Sequence, residues 1–168
     1  IIMKKLISLA VLMAFAGAAG SVTAAGNAAA GKNKSAVCAG CHGLDGNSAA
    51  LNFPKLAGQD AQYTAKQLAD FKSGARKDPV MAGMAAALSR KDMDDIGAYY
   101  ASQKRSVGTS SASADALKKA ERLYRGGDAK NGIPACMSCH GPAGAGIPPR
   151  FPAVSGQHAA YSQKQLLD

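Results

Sequence analysis

The sequence predicts an all-helical protein built from two tandem copies of one small domain, the second copy incomplete. Three observations carry this. The pentapeptide Cys38-Ala39-Gly40-Cys41-His42 recurs 98 positions later as Cys136-Met137-Ser138-Cys139-His140. At that offset, without gaps, 15 of the 33 positions from 38 to 70 are identical, among them Phe53-Pro54, Gly58-Gln59 and Lys66-Gln67-Leu68. Lys32-Asn33 also matches Lys130-Asn131 upstream. A match of that extent marks duplication of a whole folding unit rather than recurrence of a short motif. Finally, apolar residues recur at helical spacing, and no run alternates long enough to make a useful strand.

Taken in order, the chain begins with an export signal. Met3 is the expected start, Lys4 and Lys5 form a charged head, Leu6 to Ala16 is apolar, and Val22-Thr23-Ala24 has the small-residue pattern of a cleavage site. The apolar run is short for a membrane span. Residues 1–24 therefore read as a cleaved signal peptide and the product as soluble, exported and periplasmic, in a compartment that tolerates disulfides.

The first domain is expected over 25–103. Its first helix runs from about Ala28 to Val37. A second, about Asp60 to Ser73, places Ala61, Thr64, Leu68 and Phe71 on one face and can end at Gly74. Lys77 to Met84 reads as a loop because of Pro79. A third helix starts at Ser89 with Asp92 as its capping-box partner, and turns Met93, Ile96 and Tyr100 inward. Residues 104–113, inside the stretch QKRSVGTSSASA, form a linker by composition. The second domain, 114–168, opens with a helix capped by Ser113, with Leu117, Ala120 and Leu123 on one face and Gly126-Gly127 at its end. It stops before any counterpart of the methionine loop or of the third helix.

Aromatic residues are 5% of the chain and tryptophan is absent, so each core is thin and in need of a staple or cofactor. The net charge of +9, or +7 without Lys4 and Lys5, is spread along the chain. That pattern suits a solvated face or docking to an acidic partner, and not a nucleic-acid module.

C-x-x-C-H supplies the staple, because it is the attachment pattern of c-type haem. One helical turn presents two thiols to the two vinyl groups of the macrocycle, and the adjacent histidine places an imidazole under the iron. Cys38, Cys41, Cys136 and Cys139 are thus expected to tether two covalent haem c groups, with His42 and His140 as axial ligands. Thioredoxin-like pairs would leave the histidines unexplained. A single zinc site would need pairs 98 residues apart to converge. Disulfides within a helical C-x-x-C have poor geometry. For the sixth ligand the spacing leaves Met81 and Met84 open. Met93 lies on a core face, Met13 within the signal and Met137 inside the motif. His158 reads as a surface histidine at a helix start. Pro54 and Pro152 each follow the first motif cysteine by 16 residues, and their carbonyls are candidate acceptors for the ligand histidines' other N–H.

The segments VCAGCHGLDGNSAALNFPKLAGQ, KQLADFKSG, MAGMAAALSRKDMDDIGAYYASQK, LYRGG, PACMSCHGPAGAG and FPAVSGQHAAYSQKQL together resemble the class I c-type cytochromes, specifically the dihaem cytochrome c4 family, in a C-terminally truncated form. The resemblance implies two class I cytochrome c-like domains with His/Met ligation, and it makes Met81, first in the M-x-G-M stretch, the ligand ahead of Met84. It also implies a periplasmic electron carrier, not an enzyme, without a small-molecule substrate. Its redox partners would be a quinol:cytochrome c reductase complex and a haem-copper terminal oxidase. The alternatives are a cytochrome subunit of a dehydrogenase, or a peroxidase-like or sensor protein with an open iron.

Overall fold

The computed structural model describes residues 26–168; the expected signal, 1–24, lies outside them. Among the described residues the secondary structure is helical, with two isolated bridges and no strand. In the first copy, α1 (Ala28–Lys34) is capped by the Asn27 side chain and tightens into a 3-10 turn over Ser35–Cys38, after which α2 (Ala39–His42) carries the motif. The expected single helix to Val37 is therefore broken at Ser35. α3 (Ala61–Ser73) is capped by Asp60 and ends at left-handed Gly74. α5 (Arg90–Ala101) begins with the complete Ser89–Asp92 capping box.

Between them the structure corrects the expectation of a loop, because Pro79–Ala85 is a helix, α4. Asp78 caps it by accepting from Met81 N, and Pro79 occupies the first turn. There the missing N–H costs nothing and the fixed φ is already helical. The proline starts this helix rather than excluding it.

The core of the first copy lies where α5 meets α1 and α3. Ala65, Leu68, Met93, Ile96, Tyr99 and Tyr100 are buried together, with Cys38, Leu56 and Met81 packed on the edge. α1 approaches α5 so closely that only glycine fits at position 31. Asp95, 1% exposed, ties the two helices by accepting from Asn27 N at 2.8 Å and pairing with Lys91 at 2.9 Å and Lys34 at 3.6 Å. Lys34 also pairs with Asp92.

The second copy has α6 (Ala114–Gly126), a 3-10 turn (Ala129–Asn131), the motif helix α7 (Met137–His140) and α8 (Ala159–Leu167). α6 buries none of its residues, and Leu117 and Leu123 stay exposed. The upstream match of Lys32-Asn33 to Lys130-Asn131 does not carry over into structure. The first pair lies in α1, the second in the 3-10 turn.

From the motifs onward the copies agree closely. Gly43 and Gly141 leave the motif helices at φ 79° and 76°. The Gly46 carbonyl accepts from Leu56 and Ala57 N–H, and the Gly144 carbonyl from Val154 and Ser155 N–H. A Cβ on Gly46 would sit 2.8 Å from Ala57 N, and its φ is +80°, so the fold of this loop requires glycine twice over.

Candidate functional site

Each motif occupies one helical turn, as the sequence reasoning required for two thiols on one side. Cys38 closes the 3-10 turn, and Cys41 and His42 follow in α2; Cys136 precedes α7, which holds Cys139 and His140. All four thiols are free. Burial pushes the Cys38 thiol up, with Cys41 adding to the shift. Among the described residues no three His, Cys, Asp or Glu side chains converge as a metal cluster.

His42 Nδ1 lies 2.9 Å from the Pro54 carbonyl oxygen, and His140 Nδ1 lies 2.8 Å from that of Pro152. A carbonyl can only accept, so Nδ1 carries the proton and donates in each case. That bond leaves Nε2 as the ring nitrogen available to a metal when the imidazole is neutral. Burial also holds His42 below the ordinary imidazole range, which favours the neutral ring. Phe53 and Phe151 stand edge-on to the two histidines, with centroids 6.2 and 6.3 Å away.

Met81 and Met84 separate on packing. Met81 is half-buried against the core that Cys38 also borders, whereas Met84, one turn further on in the short α4, is 39% exposed. Met93 is a core residue, 3% exposed. The reading of His158 as a surface histidine is corrected. It occupies the cap position of α8 without a capping bond, is half-buried, and reaches into the first copy, where its Nε2 lies 2.9 Å from the Ser48 carbonyl. The repeat could not reveal this, because Asp60 takes the equivalent place and caps α3.

Sequence reasoning also missed Arg105. It leaves the linker to donate from Nε to the Ala57 carbonyl at 2.7 Å and from Nη1 to the Ser155 carbonyl at 3.2 Å. Those two carbonyls are equivalent positions of the two copies. Its Nη2 is buried without a partner, and burial lowers its pKa.

Two such turns in one helical chain, each with a histidine whose Nδ1 is held by a proline carbonyl, place the protein among the c-type cytochromes. Comparison with known proteins agrees. The cytochrome c family model matches residues 24–104. A cytochrome c4 of Pseudomonas aeruginosa is 50% identical over 166 residues, spanning 98% of this chain and 80% of that protein. The crystal structure of reduced recombinant cytochrome c4 from Pseudomonas stutzeri superposes with a TM-score of 0.80 at 51% identity, covering 86% of this chain and 80% of that one. A thiosulfate dehydrogenase electron acceptor of Stutzerimonas stutzeri is 44% identical over 142 residues, spanning 81% of this chain and 64% of that protein.

The chain belongs to the cytochrome c4 family: it carries two covalently bound haem c groups and transfers electrons, and is not an enzyme. Its residues fit that cofactor. Two accessible thiol pairs precede two tautomer-fixed imidazoles, and the buried, unpartnered Arg105 Nη2 suits a carboxylate such as those that haem bears.

Proposed function

We propose that the chain is a periplasmic dihaem electron carrier with domains at 25–103 and 114–168 joined by residues 104–113. Cys38 and Cys41 would tether one haem, Cys136 and Cys139 the other, and His42 and His140 would each bind the iron of their own copy. Met81 would complete the ligation of the first iron. Haem c supplies a one-electron ferric/ferrous couple when bound. The chain's own residues do the rest. Pro54 and Pro152 orient the imidazoles and raise their basicity through the Nδ1–H bond. Ile96, Met93 and Tyr100 exclude water, and Arg105 supplies positive charge between the copies.

The observation that carries this reading is the paired histidine–proline contact, repeated within 0.1 Å in the two copies. The electrons are proposed to come from a quinol:cytochrome c reductase complex and to pass to a haem-copper terminal oxidase, with peripheral membrane association; no described helix is long and apolar enough to cross a membrane. A second reading, electron acceptor for a dehydrogenase, is favoured by the similarity to thiosulfate dehydrogenase electron acceptors.

Intact mass under denaturing conditions, after expression with haem-attachment machinery, should equal the polypeptide plus two haems; a polypeptide without haem overturns the site assignment. Met81→Ala should lower the first haem's reduction potential and open its iron to carbon monoxide. If Met84→Ala does so instead, the ligand assignment is wrong. The two pathway readings part on whether the reduced protein is reoxidised by an oxidase, or the oxidised protein is reduced by a thiosulfate dehydrogenase.

A further inference from the structure

The boundary between the copies contains a reciprocal hydrogen-bond clamp. Gln157 of the second copy accepts at Oε1 from Lys55 N (2.9 Å) and donates from Nε2 to the Lys55 carbonyl (3.0 Å). Gln59 of the first copy does the same to Ala153, accepting from its N–H at 2.9 Å and donating to its carbonyl at 3.1 Å. Gln59 and Gln157 are equivalent at the 98-residue offset, as are Lys55 and Ala153. Gln59, Lys55 and Ala153 are all buried. Each glutamine is held in place because its Oε1 also accepts the next backbone N–H, from Asp60 or His158.

The clamped N–H groups belong to particular peptide units. Lys55 N–H and the Pro54 carbonyl are the two ends of one peptide, and so are Ala153 N–H and the Pro152 carbonyl. The Pro54 carbonyl holds His42, and the Pro152 carbonyl holds His140. Each chain of bonds therefore runs from a histidine, through one peptide, to a glutamine of the opposite copy. Hydrogen bonds in series polarise one another, each strengthened by roughly 10–30%. An N–H that is itself bonded makes its peptide carbonyl a better acceptor, and a histidine with a better acceptor at Nδ1 is a more electron-donating ligand.

We propose that Gln59 and Gln157 are positioning residues that tune the axial histidine of the opposite copy, Gln157 acting on His42 and Gln59 on His140. This rests on the reading of those histidines as iron ligands. The expected signature is crossed. Loss of the glutamine weakens the Nδ1–H bond in the other copy, makes that imidazole a poorer donor to the ferric state, and raises the potential of that haem. A glutamine that merely docks the domains would, when lost, expose both haems together or disturb its own copy first.

The test uses the full-length holoprotein with Gln157→Met and Gln59→Met, which keep side-chain length and remove both polar atoms. Spectroelectrochemistry gives the two potentials, and NMR of the reduced protein follows each ring-current-shifted histidine Nδ1–H. The expectation is that Gln157→Met raises the potential of the Cys38/Cys41 haem and moves the His42 Nδ1–H upfield, leaving the other haem nearly unchanged, and that Gln59→Met does the converse. Gln157→Glu retains an acceptor for Lys55 N–H and should return the His42 Nδ1–H towards its wild-type position. Shifts of both haems in each variant, or of the variant's own copy alone, overturn the proposal, as do unchanged spectra. If the wild-type protein shows no ring-current-shifted Nδ1–H for His42 or His140, the ligand assignment itself has failed, and that result is distinct from a ligand resonance indifferent to the glutamines.

Discussion

Gly31→Ala sets two opposing magnitudes against each other. Within α1 alone, alanine in place of glycine stabilises a helix by about 1 kcal/mol. Across the interface the sign reverses. A Cβ on Gly31 would lie 1.9 Å from the Asp95 carbonyl oxygen, 2.5 Å from its carbon and 2.9 Å from Tyr99 Cβ. The first two are backbone atoms of α5, so no rotamer change relieves them, and the helices must part by about 1.5 Å before contact becomes ordinary. That movement loosens the Asn27–Asp95 bond and the Lys34 ion pairs that tie the same helices. Overpacking of this kind costs about 1–3 kcal/mol, and an immovable backbone neighbour puts it at the upper end. The net expectation is a loss of about 2 kcal/mol in the first copy. Guanidinium unfolding of the holoprotein, followed by far-UV circular dichroism beside the haem absorbance, measures it. An unchanged or raised midpoint would refute the packing argument, because helix propensity would then have won.

Ile96→Ala, at a side chain 2% exposed, should destabilise the first copy by about 3 kcal/mol through lost burial and a residual cavity. Leu123→Ala on exposed α6 should cost under about 1 kcal/mol in the same assay, and similar losses at the two sites would contradict the burial pattern. Arg105→Ala removes two bonds to carbonyls of different copies, worth together about 3 kcal/mol for a charged donor. It should split a single calorimetric transition into two, and an unsplit transition with unchanged midpoint would count against Arg105 as a strut. Asp95 is held below the usual carboxylate range, first by its bond from Lys91 and then by Asn27 N–H. Its stabilisation is therefore present above pH about 4 and is lost as pH falls through the lower folded value. Asp95→Asn should be less stable than wild type at neutral pH, with the difference narrowing in acid; a difference that stays constant to pH 2 would exclude the carboxylate as its source.

Legibility followed range. The Ala61–Ser73 helix, its Asp60 start and its Gly74 stop could be read from local spacing because every signal lies within one element. The Ser89–Asp92 box was readable for the same reason. The α4 helix was not read, although Asp78-Pro79 is an N-cap followed by a first-turn proline. Seven residues are too few to show a period, and a proline reads as a breaker unless it falls in a helix's first turn. The break at Ser35 had no local signal of that strength.

The twin motifs were legible as chemistry, since the thiol pair and the imidazole need fixed spacing along one turn. What joins the motifs was not. Gln59 and Gln157 stood out in the repeat only as an identity, and their partners lie in the other copy, at positions where the residues differ, Lys55 and Ala153. The glutamines bind backbone atoms there, so the side chains of their targets were free to diverge. Arg105 shows the same logic, grasping the carbonyls of Ala57 and Ser155 rather than any side chain. A boundary held through main-chain groups needs conserved geometry on one side and conserved chemistry only in the reaching residue. The duplication therefore kept Gln59 and Gln157 visible and hid what they hold. This is also why each copy can influence the other's histidine through a peptide whose own sequence carries no sign of it.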